Sequence, residues 1–309
     1  MTMIKTLAAA NKSEREHFKI PRSVQQSIPI QRIYRDGIWM VNGKYSRTWR
    51  FADINYSVAS HEDQQEMFLS YCGVLNSLPT GATAKITINN RRLNGTDFQH
   101  SVLMRLKGDG LDKYRQEYNG ILMEKAVESN NLIQDKYITI SVERKNIEEA
   151  RTFFKRVDID LGKSFGKLDS GAKALDNHER LRIFHDFFRP GEEQDFRIDL
   201  SEAMKRGHSF KDAIAPDGMQ FKADHFEIGG KVGRVLFLRE YASYIKDRMI
   251  TDLSDFSRNL MLSIDILPVP TNEAIKEMQA RILGVESDIT RWQQKQNANN
   301  NFTATVPYE

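Results

Sequence analysis

One cysteine in 309 residues, Cys72, leaves no partner for an intrachain disulfide and no thiolate set for a zinc cluster. A reducing compartment is the expectation that follows. Long apolar runs are also missing. The strongest, such as Val235–Leu238, extend over four residues, whereas a membrane-spanning helix needs about 20. The N-terminal patch of Ile4 and Leu7 to Ala10 is too short for a secretory core. Charge of one sign is scarce as well: 45 lysines and arginines face 42 acids, for a net charge of +3. That balance lacks the electrostatic footprint of a dedicated nucleic-acid binder. What is present is a globular composition, 40% hydrophobic and 28% charged, in a chain long enough to bury a core without covalent staples.

Residues 1–27 show no periodicity and read as a flexible arm. Three strand-like pieces follow, Ile28 to Tyr34, Gly37 to Val41 and Tyr45 to Phe51. Arg35-Asp36-Gly37 and Asn42-Gly43 supply the turns between them, so the opening reads as an antiparallel meander. Ser60, three residues before Asp63, forms a capping-box pattern that opens a helix. Phe68, Tyr71, Leu75 and Leu78 line one face of it, and Pro79 with Gly81 ends it. Ala84, Ile86 and Ile88 alternate as a strand. A helix from about Asp109 to Ser129 carries Leu111, Tyr114, Tyr118, Ile121 and Leu122 on one side. Ile138, Ile140 and Val142 alternate again. A helix from Asn146 to about Leu168 is expected to bury Ile147, Ala150, Phe154, Val157 and Leu161.

The segment from Asp169 to Gly191 reads as helical and aromatic, and residues 191–223, broken by Gly207, Pro216 and Gly218, as an irregular connection. Beyond it come strands at His225 to Ile228 and Arg234 to Leu238, then a helix from about Ala242 to Asn259. A strand from Leu260 to Ile266, stopped by Pro268 and Pro270, precedes a last helix capped by Thr271 or Asn272. The expected fold class is α+β, with antiparallel or mixed sheets, helices packed on one face, two sub-domains and ferredoxin-like elements. The expected organisation is an arm over 1–27, a sub-domain over 28–190, a connection over 191–223, a second sub-domain over 224–296 and a linker over 297–309.

Sites of chemistry are few. Gly162-Lys163-Ser164 is the closing tripeptide of a phosphate loop, but Val157 stands where the earlier glycine belongs, and the stretch lies inside a helix. It reads as solvated helix surface. His178 and His185 fall seven apart on one helix face, while helical metal ligands come at i and i+4. They read as surface or partly buried histidines, and His208 and His225 lie in irregular regions. Cys72 reads as small core filler. The aromatic-basic strand from Tyr45 to Phe51, with Arg47, Trp49 and Arg50, and the pair Arg91 and Arg92, are the candidates for stacking and clamping single-stranded nucleic acid. A half-buried strand explains the same alternation. The last helix is more specific. Ile275, Met278, Ile282, Val285, Ile289 and Trp292 recur at 3-4-3-4-3 spacing, the seam of a heptad pattern. Such a seam packs on its own sheet or meets a neighbouring domain or subunit.

The blocks IPIQRIYRDGIWMVNGKYSRTWRFADINY, GATAKITINNRRLN, GKVGRVLFLREYASYIKDRM and LSIDILPVPTNEA, the last followed by QNANNNF, carry a resemblance. They resemble the N-terminal region of conjugal transfer ATPases of the CagE/TrbE/VirB family, the motors of type IV secretion and conjugation. The form is that carried by conjugative transposons of Gram-positive gut bacteria, and the likeness extends from about Arg22 to Glu309. In that family a RecA-like domain with both Walker motifs follows, and this chain ends about where that domain begins. The resemblance therefore implies a non-catalytic half of a motor, with no catalytic, cofactor-binding or metal-binding residue to carry over. It implies docking onto inner-membrane components of a conjugation channel at the cytoplasmic face, contact with the motor's own ATPase domain, and contacts between neighbouring subunits.

Overall fold

The computed structural model describes residues 21–92, 102–128, 132–193, 195–240, 249–254 and 258–303. The chain is α+β. A short helix, α1 (Val24–Ser27), leads into strands β1 (Ile30–Ile33), β2 (Trp39–Val41) and β3 (Lys44–Phe51). Helix α2 (His61–Asn76), strand β4 (Ala82–Arg92), helix α3 (Asp112–Glu128), strand β5 (Leu132–Val142) and helix α4 (Ile147–Lys167) alternate after it. Next come β6 (Ala172–Ala174), α5 (Asn177–Phe188) and α6 (Leu200–Lys205), then β7 (Met219–Phe221), β8 (Phe226–Ile228) and β9 (Lys231–Gly233). Helix α7 (Met249–Ser254), strand β10 (Leu260–Ile266) and helix α8 (Thr271–Thr303) close the described chain.

The main sheet runs β1-β2-β3-β5-β4-β10, with β6 paired to the far end of β3. Every pairing is antiparallel. Strands β2 and β6 share one edge of β3: Trp39–Val41 lies along Lys44–Ser46, and Ala172–Ala174 along Trp49–Phe51. The expected turns form. Asn42 and Gly43 both take positive φ between β2 and β3, the conformation a two-residue hairpin demands. Gly37 is also left-handed, with φ +77°, and a Cβ there would stand 2.7 Å from the Leu175 carbonyl oxygen.

Strand alternation sorts side chains onto two faces. One face carries Tyr45, Trp49, Ala84, Ile86, Ile138, Ile140 and Val142, buried under α2 and α4. Helix α4 fits its sequence stripe: Ala150, Phe154, Val157, Leu161 and Phe165 are buried and Ile147 is partly so. Asn146 caps it by accepting from the Glu149 N–H. The opposite face is polar over β3, β4 and β5, where Thr48 and Thr139 hydrogen bond at 2.9 Å across the pairing. At its β1–β3 end a second apolar cluster forms, with Ile28, Ile30, Trp39, Leu181, Ile214 and Ala215. Helix α5 thus covers the face that α2 and α4 leave open, so helices lie on both faces of the sheet rather than one.

Five further expectations are revised. Order begins before Ile28: α1 is capped by Ser23, and Lys211 Nζ donates to the carbonyls of Gln25 and Ile28 at 3.0 and 2.8 Å. Residues 191–223 are more than a connection, because Phe196, Ile198, Leu200, Phe210 and Ile214 pack into the second cluster. The C-terminal part does not close a unit of its own either. All seven residues of β10 pair with β4, and Ile264 and Ile266 pack against the main core. Lastly, Arg234 to Leu238 forms no strand beyond β9, and helix α8 continues to Thr303, through part of the expected linker. The expected helix from Ala242 to Asn259 lies partly outside the described residues, α7 being its described piece, and so do 1–20 of the expected arm.

Candidate interaction surface

Helix α8 begins where Pro268 and Pro270 end β10. The Pro270 carbonyl accepts from the Glu273 and Ala274 N–H groups at 2.9 and 3.0 Å, and Asn272 Oδ1 from the Glu273 N–H at 3.0 Å. Glu277 and Arg281, one turn apart, pair at 2.7 Å. The six seam residues Ile275, Met278, Ile282, Val285, Ile289 and Trp292 are 49–63% exposed, and every residue from 275 to 295 is exposed. The seam does not pack on its own sheet. A helix solvated all round gains nothing from tertiary packing, and the apolar stripe along α8 is left uncovered.

Two further helices expose residues of the apolar face that their spacing marks out. On α3, Leu111, just before its first turn, Tyr114, Tyr118 and Ile121 are all exposed. Its start is nonetheless well fixed. Arg115 Nη1 and Nη2 clasp Asp109, and Nη1 reaches Asp112 at 2.6 Å. The Arg115 bond, with desolvation opposing it, holds the Asp109 carboxyl down to about 2. On α2, Phe68 and Tyr71 are exposed, while Val74 and, just beyond the helix, Leu78 are buried, and Met67 and Leu75 pack partly buried against the core. Val235–Leu238 is exposed along its whole length.

The basic candidates are divided. Arg47 and Trp49 lie on the face under α4. Asp158 of that helix accepts from Arg47 Nη1 at 2.6 Å and from Trp49 Nε1 at 2.7 Å. Trp49 is buried and stacks obliquely on Phe154, so its ring offers no base a platform. Arg50 and Arg91 lie on the opposite face, both bonded to the buried carboxylate of Asp135, Arg91 Nε at 2.9 Å. Burial works against the Arg91 charge, but Asp135 beside it outweighs that and raises its pKa. Burial, and then the Asp135 charge, push the Tyr137 hydroxyl up as well. The Arg92 side chain lies outside the described residues. Arg47, Arg50 and Arg91 make no continuous basic surface, since they divide between the two faces of the sheet. Sequence reasoning missed the two aspartates, Asp158 and Asp135, that neutralise Arg47, Arg50 and Arg91, because both lie 85 or more positions from the β3 arginine they meet.

The remaining candidates are structural. Lys163 and Ser164 lie within α4, as the helix reading expects. Phe196 sits between His178 and His185, with ring centroids at 4.8 and 5.0 Å. His225 lies 2.7 Å from Asp224 and 3.4 Å from Glu227. Among the described residues no group of three or more His, Cys, Asp or Glu is placed to hold a metal ion. An open hollow at the start of α4 joins Arg144, Phe153 and Arg156 with Glu148 and Glu149, a mixture of charges that selects no ligand sign. No helix among the described residues is long and apolar enough to cross a membrane. Comparison with the models of known protein families and with curated proteins returned no match.

Proposed function

We propose that the chain is a non-catalytic docking and interaction module of a conjugation motor, held at the cytoplasmic face of the cell membrane by inner-membrane components of a transfer channel. The sequence resemblance supplies the system. The observation that carries the reading is where the uncovered apolar surface lies, on the faces of α2, α3 and α8 rather than in a cavity. Faces of that kind suit partner helices, with aromatic anchors such as Tyr118, Phe68 and Trp292. The nucleic-acid alternative draws less support, because Asp158 and Asp135 occupy the arginines it needs.

The test is direct. The purified chain, titrated against the membrane components of its own transfer system in nanodiscs, binds them, and Tyr118→Asp with Phe68→Asp weakens binding at least tenfold, about 1.4 kcal/mol or more. The same preparation turns over no ATP. Turnover abolished by Lys163→Ala, or binding indifferent to both aspartates, overturns the proposal.

A further inference from the structure

We propose that the α8 seam is covered by the α8 of a second copy of this chain, in a parallel two-stranded coiled coil. This rests on the interaction-module reading and names the neighbouring subunit as the occupant of one of its surfaces. The 3-4-3-4-3 spacing fixes the heptad assignment: Ile275, Ile282 and Ile289 fall at a, and Met278, Val285 and Trp292 at d. Isoleucine at every a position is one half of the pattern that favours two parallel strands, the d positions holding Met, Val and Trp in place of leucine. The seam runs for about 27 Å at 1.5 Å per residue, and both of its flanks are free.

The flanking residues agree with that pairing. Arg281 falls at g and Glu286 at e of the following heptad, the two positions that meet across a parallel interface. Two-fold symmetry makes that contact twice, Arg281 of each copy meeting Glu286 of the other. The next such pair is Asp288 with Gln293, and the preceding one Ala274 with Gln279. No like charges oppose each other along the seam. In the single chain Arg281 is bonded to Glu277, and both are largely exposed, so its guanidinium exchanges one rim carboxylate for another at little cost. Leu283 is equally exposed but falls at b, on the outside of the pair.

Light scattering during gel filtration tests the pairing at tens of micromolar protein. The wild-type chain elutes at twice its 35.7 kDa mass. Ile282→Glu elutes at the single-chain mass, with the near-ultraviolet spectrum of the buried tryptophans unchanged. Leu283→Glu, as apolar a loss but off the seam, stays at the double mass. Orientation is read by Ile275→Cys in a Cys72→Ser background. Oxidation cross-links the parallel pair at residue 275, whereas an antiparallel pair holds the two cysteines a seam length apart. A single-chain mass for the wild type, a double mass surviving Ile282→Glu, or no cross-link in a sample of double mass overturns the proposal. Docking onto channel components is read separately through Tyr118 and Phe68. A monomer that binds the channel sinks the coiled coil alone, and a dimer that does not bind sinks the docking reading alone.

Discussion

Asp158 shows how much of this structure turns on single carboxylates. It accepts from both a guanidinium and an indole N–H at 2.6 and 2.7 Å, tying the middle of α4 to the middle of β3. Asp158→Asn keeps the shape and an acceptor but removes the charge beside Arg47, whose Nε is already buried without a partner. A lost charged hydrogen bond with a buried donor left behind costs about 2–3 kcal/mol. Urea unfolding, followed by Trp49 fluorescence, should show that loss, and an unchanged midpoint would mean that the pair contributes nothing. Arg180 presents the opposite case. It is a buried guanidinium with no carboxylate, giving its protons to the Gly37 carbonyl at 2.8 Å and the Ser46 carbonyl at 3.1 Å, over the Trp39 ring at 4.1 Å. Burial, and then the nearby Arg47 charge, lower its pKa to about 9. That direction makes the charge a burden below the folded pKa and relieves it only above, so Arg180 adds no pH dependence near neutrality. Neither role was legible in the sequence. Alternation along β3 assigns Arg47 and Trp49 to one face, but their acceptor lies more than a hundred positions away, and only the packing of α4 brings it there.

At the scale of elements, periodicity names a face but not its cover. Both α4 and α3 carry apolar residues at helical spacing, though the stripe of α4 is far the stronger. One is buried by the sheet, and the other is exposed. Spacing records that a face is apolar, which is the same requirement whether the cover comes from the chain or from a partner. Turns were more legible, because positive φ limits the residues that fit. Gly37 combines both constraints: a left-handed φ, a Leu175 carbonyl where a side chain would begin, and its own carbonyl bonded to Arg180. Gly37→Ala should therefore cost about 2 kcal/mol, the sum of a strained backbone and a forced shift of the chain between β6 and α5. A thermal melt that stays put would show that the β1–β2 turn moves freely, whereas Gly43→Ala, with open space around its Cβ, carries the φ strain alone.

The whole molecule is where sequence reasoning divided what the chain joins. Gly207, Pro216 and Gly218 break regular structure, and breakers look the same in a linker as in a loop folded onto a core. Phe196, Phe210 and Ile214 were the available signal, apolar residues too bulky to leave in a solvated connection, and they fill the cluster against Leu181 and Trp39. Strand β10 then returns past all of it to pair with β4 along its whole length. A sheet edge can take up any strand of the right register, so sequence order does not reveal that the last strand completes the first sheet. That arrangement has a thermodynamic consequence. If β10 belongs to the main sheet, a polar side chain on its inner face destabilises the sheet itself, not a separate C-terminal unit. Ile264→Asn buries part of an amide beside Ile86, its partner on β4, at a cost of about 1–3 kcal/mol. The urea transition seen by Trp49, far across the sheet on β3, should shift to lower denaturant with its slope unchanged. A Trp49 transition that stays in place while the C-terminal signal melts early would separate the chain into two independently folding parts, and the register between β4 and β10 would then count for nothing in the stability of the core.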